Sequence, residues 1–168
     1  MHNEFLAVVD EHDQIIDRRL RSEIHALALR HRAVHILLFN AAGQLLLQKR
    51  SQKKDLNQGL WDTSAAGHVD DGETYDICAP RELQEELGVT ADLTALFKLE
   101  PTPDLGMEFI QVYRCHHNGP FELAVDEIDE SRWLDKHEID KRVDQNDVTL
   151  TKTFKIIWRL YRQLNIDN

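Results

Sequence analysis

Cysteine is scarce in this chain, and basic residues are outnumbered. Only Cys78 and Cys115 occur among 168 residues. With no secretory leader ahead of them they read as free thiols, because disulfides persist mainly in oxidising compartments. No Cys-x-x-Cys pair is present, which removes the usual framework for a structural zinc. Lysine and arginine total 20 against 30 acids, a formal charge of −10. Nonspecific nucleic-acid binding needs a basic footprint on the phosphate backbone, so that class of partner is excluded. A small phosphorylated substrate is not, provided a metal ion supplies positive charge. Long apolar runs are missing too: stretches such as AVHILLF fall far short of the ~20 residues that cross a bilayer. The opening MHNEFLAVVDEHD carries acids where a signal peptide carries bases. The expectations are no membrane association and a cytoplasmic location.

No internal repeat or low-complexity linker divides the chain, and its length suits a single domain, residues 1–168. Short strands are predicted at Phe5–Val9 and near Ile15–Ile16, a hairpin-like opening. Ser22 can cap a helix running to about Arg30, with Ile24, Leu27 and Ala28 on one face. Strands at Ala33–Phe39 and Gln44–Lys49 are joined by NAAG, whose Asn and Gly suit a tight turn. Further strands are predicted near 93–99, 108–115, 121–125 and 131–134. A helix over roughly Leu150–Leu164 closes the chain, with Phe154, Ile157, Trp158, Tyr161 and Leu164 as its core stripe. Strands outnumber helices, and the helices can cover both faces of one sheet. The fold class expected is a mixed α/β/α sandwich.

Residues 67–89, GHVDDGETYDICAPRELQEELGV, carry the chemistry. Glu82, Glu85 and Glu86 fall at i, i+3 and i+4 on a helix predicted over 74–88, so they share a stripe about 100° wide. Leu83 and Leu87 lie on another side and can anchor the helix. Like charges at these spacings cost a bare helix roughly 0.2–0.5 kcal/mol per pair. Gathering three is unfavourable unless a cation sits among them, and carboxylate oxygens select Mg²⁺ or Mn²⁺. A bare glutamate cluster of this kind is more often a solvated face; the residues around this one decide otherwise. Gly67, Glu73, Arg81-Glu82-Leu83, Glu85-Glu86 and Gly88-Val89 match every fixed position of the Nudix signature, G-x5-E-x7-R-E-U-x-E-E-x-G-U with U apolar.

The segment thus resembles the Nudix hydrolase family, and that resemblance implies a Nudix-type sandwich with a loop–helix–loop holding metal on Glu82, Glu85 and Glu86. It further implies that Arg81 pairs with Glu73, and that Gly67 permits a close turn and lends its carbonyl to the metal. Gly88 also fits as a left-handed helix cap. Pro80 is out of place within a helix, so either the regular helix begins near Asp76–Ile77 or its first turn is widened.

Outside this box, Arg30-His31-Arg32-Ala33, HILLFNAAGQLLLQKRSQKKDL and GLWDTSAAGH resemble the subgroup containing isopentenyl-diphosphate isomerase and its hydrolase relatives, over about residues 4–165. The isomerase uses a cysteine just before the Gly-His of its box. Here that position is Ala66, and the RExxEE core that isomerases tend to lose is intact, so hydrolysis is favoured. A non-catalytic nucleotide-binding module is disfavoured by the same intact carboxylates. His31, His68 and Glu108 fall where the isomerase binds metal and are candidates for a second metal site, with His25 one residue out of register. A histidine at a strand edge serves packing equally well.

The hydrolase reading implies Mg²⁺- or Mn²⁺-dependent attack of water on phosphorus in a small diphosphate, a nucleoside diphosphate or its conjugate by resemblance. Glu85 or Glu127 is a candidate proton acceptor. Arg30, Arg32, Lys49 and Arg50 are candidates for holding the phosphates and Trp61 for lining the pocket, each also explicable as solvated charge or core. A homodimer is left open.

Overall fold

The computed structural model describes residues 4–165. Met1–Asn3 and Ile166–Asn168, which the single-domain expectation includes, lie outside the described residues. In chain order the strands are β1 (Phe5–Val9), β2 (Ile15–Leu20), β3 (His31–Phe39), β4 (Leu45–Arg50), β5 (Trp61–Asp62), β6 (Ala65–His68), β7 (Thr94–Leu99), β8 (Glu108–His116) and β9 (Ile128–Leu134). The helices are α1 (Arg21–Ala26), α2 (Tyr75–Leu87), α3 (Lys136–Asp144) and α4 (Lys152–Gln163).

β1 and β2 form the antiparallel hairpin expected from their apolar runs. The other strands make a mixed sheet centred on β3, which runs parallel to β8 from His31↔Glu108 to Phe39↔His116. Side chains alternate across a strand, and from Ala33 to Phe39 β3 is apolar at every position but His35 because both of its faces are covered. Ala33, Leu37 and Phe39 pack with Phe154, Ile157, Trp158 and Tyr161 of α4. Val34, Ile36 and Leu38 pack with Cys78, Ala79, Leu83 and Leu87 of α2. The result is the α/β/α layering expected.

One irregularity in the sheet positions everything functional. β3 and β4 pair only at Phe39↔Leu45 and then part. β6 continues along β3, and β5 continues along β4. Ser64 sits in the wedge between them. Its hydroxyl donates to the Leu46 carbonyl at 2.6 Å and accepts the Leu38 N–H at 2.8 Å, replacing the ladder bonds that the separated strands cannot make to each other.

Several expectations are corrected. α1 ends at Ala26, where Ala28 turns to φ +52° and the Arg30 carbonyl accepts the Val9 N–H beside β1; Ser22 lies inside it rather than capping it, because the helix starts at Arg21 with Leu20 as N-cap and no side-chain cap bond. Leu27 is therefore exposed, and Leu29 packs beneath with Ile24 instead. α2 starts at Tyr75 and runs unbroken through Pro80, so neither a later start nor a widened turn is needed; Thr74 caps it and Gly88 ends it at φ +70°. Residues 121–125 form no strand: the N–H groups of Glu122 and Ala124 donate to the Leu87 and Glu86 carbonyls at the end of α2. α3 went unforeseen, although Ile139 and Val143, four apart, are both buried. α4 starts after Thr151 rather than at Leu150, and Leu164 lies exposed beyond its end.

Ser64→Ala should leave a buried donor and a buried acceptor unpaired, at a cost of about 1–3 kcal/mol. Urea unfolding measures this, and a midpoint equal to wild type would mean the hydroxyl does not hold the wedge.

Candidate functional site

α2 carries its carboxylates to the wedge, and two local features bring it close. Gly67 lies within β6 opposite Val34, and a Cβ built on it would fall 2.1 Å from Cδ of Glu82. Gly67 thus leaves room for the Glu82 carboxylate, and it sits in a strand rather than in the close turn anticipated. The Ala66 N–H donates to Glu86 at 2.9 Å, and Gln48 of β4 reaches the same carboxylate from the other side of the wedge at 3.5 Å.

Arg81 organises the charges. Its Nε and Nη2 donate to the two oxygens of Glu73 at 2.7 and 2.8 Å, a bidentate pair. Nη1 donates to Glu82 at 2.9 Å and to Glu85 at 3.0 Å, and Nη2 also reaches the His68 carbonyl at 3.2 Å. Glu73 in turn accepts the Asp70 N–H at 2.9 Å, which closes the loop preceding α2 onto the helix.

Glu82 and Glu86 are 9% and 5% exposed, whereas Glu85 faces solvent. Burial, followed by repulsion from Glu86, pushes the Glu82 carboxyl up to about 9. Burial also pushes Glu86 up to about 7; the Ala66 N–H works against this and the Glu127 carboxylate works with it. Two buried, mutually repelling carboxylates with an arginine already committed to Glu73 form a site short of positive charge. A divalent cation with a preference for hard oxygens fits that deficit.

A second cluster adjoins. The ligand nitrogens of His25, His31 and His68 lie within 4.8 Å of one another. Glu108 places an oxygen 2.9 Å from His68 Nε2 and 3.3 Å from His31 Nε2. His31 Nδ1 lies 2.9 Å from the Leu29 carbonyl, an acceptor, so Nδ1 carries the proton and Nε2 presents a lone pair. That buried Nε2 has no hydrogen-bond partner among the described residues. A bare nitrogen facing a carboxylate is an arrangement a cation relieves. Burial, then His68, lowers His25 to about 4, and burial lowers His68, which keeps both in the neutral form that binds metals. Glu108 is held well below the usual carboxylate range: burial works the other way, and its close contacts with His31 and His68 outweigh it. His25 joins from within α1, which sequence register alone did not reveal.

Both clusters open into one cleft of about 880 Å³. Of the other sequence candidates, Arg50 and Glu127 line it. Lys54 and Arg21, not anticipated, line it too; Lys54 pairs with Glu127, and Arg21 grips Asp55 at 3.0 and 3.1 Å. Arg30, Arg32, Lys49 and Trp61 do not line it. Arg32 is bound to Asp13 at 2.7 Å and lies over the Tyr75 ring, and Trp61 packs against the α4 side of the core under Arg132. Lys49 pairs in register with Glu130 on β9. The thiols are buried: Cys78 donates to the His68 carbonyl at 3.3 Å, and burial raises both cysteines above the ordinary thiol range.

A sandwich of this topology, with a carboxylate-bearing loop–helix–loop across its central strands, is the Nudix architecture. The chain belongs to the Nudix family: the NUDIX domain model matches residues 29–154. An uncharacterized Nudix hydrolase of Yersinia pestis is 33% identical over 151 residues, 84% of this chain and 79% of that relative. An isopentenyl-diphosphate Delta-isomerase of Serratia proteamaculans is 31% identical over 162 residues, 94% of this chain and 90% of the isomerase. The crystal structure of DR0079 from Deinococcus radiodurans superimposes with a TM-score of 0.81 at 28% identity, covering 94% of this chain and 99% of that one. Nudix hydrolases are enzymes that act on diphosphate-containing substrates, generally with a divalent metal such as Mg²⁺. Among the described residues, no helix is long and apolar enough to cross a membrane.

Glu82 keeps its proton in the folded, metal-free protein at pH values where the unfolded chain, near 4.5, has lost it. Stability should therefore fall as pH rises from about 7 to about 9, as the folded chain gives up that proton. Thermal unfolding in EDTA at these two pH values should show the fall, and Mg²⁺ should remove most of it. A metal-free melting temperature that is flat or rising across the window would contradict the buried-carboxylate account.

Proposed function

We propose that this chain is one catalytic domain, cytoplasmic, that hydrolyses the diphosphate linkage of a nucleoside diphosphate or a conjugate of one. The observation that carries this reading is the pair of buried carboxylates, Glu82 and Glu86, set against Arg81 in the wall of the cleft. Glu82, Glu85, Glu86 and the Gly67 carbonyl would hold Mg²⁺ or Mn²⁺. Bound there, the metal supplies charge neutralisation of the diphosphate and a more acidic water.

The protein's own groups supply the rest. Arg81, locked by Glu73, keeps the glutamates in place. Arg50, Lys54 and Arg21 line the cleft with positive charge and receive the phosphate oxygens. Two carboxylates stand ready to take the proton of the attacking water, Glu85 on the exposed face of α2 and Glu127 through Oε1, since its Oε2 pairs with Lys54. His25, His31, His68 and Glu108 would hold a second divalent ion, supported by the orphaned Nε2 of His31.

The similarity to an isomerase raises a second reading, and Ala66 speaks against it. Protonating a carbon–carbon double bond needs a well-placed acid, and here that position offers a methyl group, while both thiols are buried elsewhere.

A panel of nucleoside diphosphates and their conjugates, assayed for phosphate or mononucleotide release, should give turnover with Mg²⁺ or Mn²⁺ and none with a chelator. Glu85→Gln and Glu86→Gln should each reduce turnover by about a hundredfold or more with the fold intact. Near-normal activity in both variants would place the metal elsewhere. Isopentenyl diphosphate in deuterated water should yield no deuterated dimethylallyl diphosphate; its appearance at enzymatic rates would replace the hydrolase reading with the isomerase one.

A further inference from the structure

The cleft contains a second set of buried polar groups that the hydrolytic chemistry does not use. His35 lies in the middle of β3 and Asp62 on β5, and they are 5% and 4% exposed. Both line the cleft. They stand on opposite sides of the wedge: His35 pairs in register with Ala66, whose N–H holds Glu86, and Asp62 pairs with Gln48, whose amide reaches the same glutamate. Side chains directly opposite in an antiparallel pair share a face and lie about 5 Å apart. The two groups line the same cleft as Glu82, Glu85 and Glu86, the carboxylates proposed to hold the metal.

Their hydrogen bonds on the protein side are fixed. His35 Nδ1 is 2.7 Å from Thr63 Oγ1 and 3.8 Å from Asp62 Oδ1, and Asp62 Oδ1 accepts the Thr63 N–H at 2.8 Å. The Thr63 hydroxyl directs its own hydrogen to the Ala65 carbonyl at 3.4 Å, so its oxygen accepts from His35 Nδ1–H. That choice of tautomer leaves His35 Nε2 as a bare acceptor. No hydrogen bond from a described residue reaches His35 Nε2 or Asp62 Oδ2, and neither atom is sealed from the cleft. Two side chains more than nine-tenths buried thus present two acceptors and no donor to the cavity. Buried acceptors are ordinarily paired, and a partner here must bring donors.

We propose that His35 and Asp62 form the subsite for the group attached to the diphosphate, and that this group offers a pair of hydrogen-bond donors. The proposal rests on the diphosphate-hydrolase reading for what occupies the neighbouring metal end. Two sources supply such donors in a nucleotide: the vicinal hydroxyls of the ribose and the amino edge of the base. A plain alkyl chain, as in an isoprenoid diphosphate, supplies neither and would leave both acceptors buried and unpaired. A site built to accept from donors rejects an analogue lacking them far more strongly than an apolar pocket rejects an extra methylene.

The test compares wild type, Asp62→Asn and His35→Ala in two measurements. Asp62→Asn keeps an oxygen for the Thr63 N–H and turns the second acceptor into a donor. Kinetics with Mg²⁺ use ribonucleoside diphosphates, their 2′,3′-dideoxy forms, forms methylated on the base amino group, and a simple alkyl diphosphate. The variants should raise KM for the preferred ribonucleoside diphosphate about tenfold or more, with kcat changed less than twofold and no change for the alkyl diphosphate. Loss of wild-type preference in the dideoxy forms assigns the donors to the sugar, and loss on methylation assigns them to the base. Equal effects on nucleoside and alkyl diphosphates, or none on either, overturn the subsite.

The second measurement is ligand-observed NMR with phosphate-free nucleosides, which requires neither metal nor turnover. Binding to wild type that is lost in both variants supports the subsite even if no diphosphate is hydrolysed, in which case only the hydrolase reading falls. Binding equal in wild type and variants, or absent from wild type, overturns it.

Discussion

The parting of β3 from β4 after one residue pair is the constraint on which the rest of this molecule depends. Two adjacent strands that separate leave main-chain groups without partners in the middle of a sheet, where water cannot reach them. The chain answers with polar side chains rather than with more strand: the Ser64 hydroxyl bridges Leu38 and Leu46, and the Glu86 carboxylate takes the Ala66 N–H. A site that needs polar atoms deep in a sandwich thereby comes from the backbone bookkeeping of the sheet itself. Glu86 serves the sheet and the chemistry at once, which explains how an acid 5% exposed can belong to a stable core.

The electrostatic strain runs the other way. Glu82 and Glu86 are brought together by packing that Leu83 and Leu87 enforce, and Arg81 is shared among Glu73, Glu82 and Glu85. One guanidinium cannot serve three ionised carboxylates, and in the metal-free chain Glu82 keeps its proton instead. Cation binding and folding are linked in such a site, and the histidine cluster beside it repeats the pattern with nitrogen ligands around Glu108.

The helix that carries the carboxylates could be read from sequence because its signals are local. Thr74 as cap, Gly88 as terminator and the leucines at four-residue spacing each act within a turn or two. The Glu73–Arg81 pair was legible only through resemblance, and nothing in composition would have drawn the two together. What escaped was set by long-range pairing. Residues 121–125 have the alternation of a strand, yet their N–H groups are taken by the carbonyls that end α2. Trp61 and Arg32 belong to residue types common in nucleotide pockets, but Asp13 and the α4 side of the core claim them first. Lys54, Asp62 and His35 lie within the segments that resemble the isomerase subgroup, yet that resemblance gave none of them a role. Their place in the cleft follows from a wedge that a single short pairing creates, and periodicity cannot express that.

The segment after α2's partner residues has one more implication. Ala124 is bonded through its N–H to the carbonyl of Glu86, and the Glu127 N–H is bonded to the Ala124 carbonyl. Glu127 is thus tethered to Glu86 through two main-chain links, independent of any side chain in the cleft. The spacing of two acids on opposite walls is a backbone dimension, in effect a fixed caliper, and it is held at the end of α2 where Gly88 leaves room for Glu122 to lie against it. Substitution at the exposed Val125 is then free to alter the outer surface while the main-chain links that hold Glu127 stay in place.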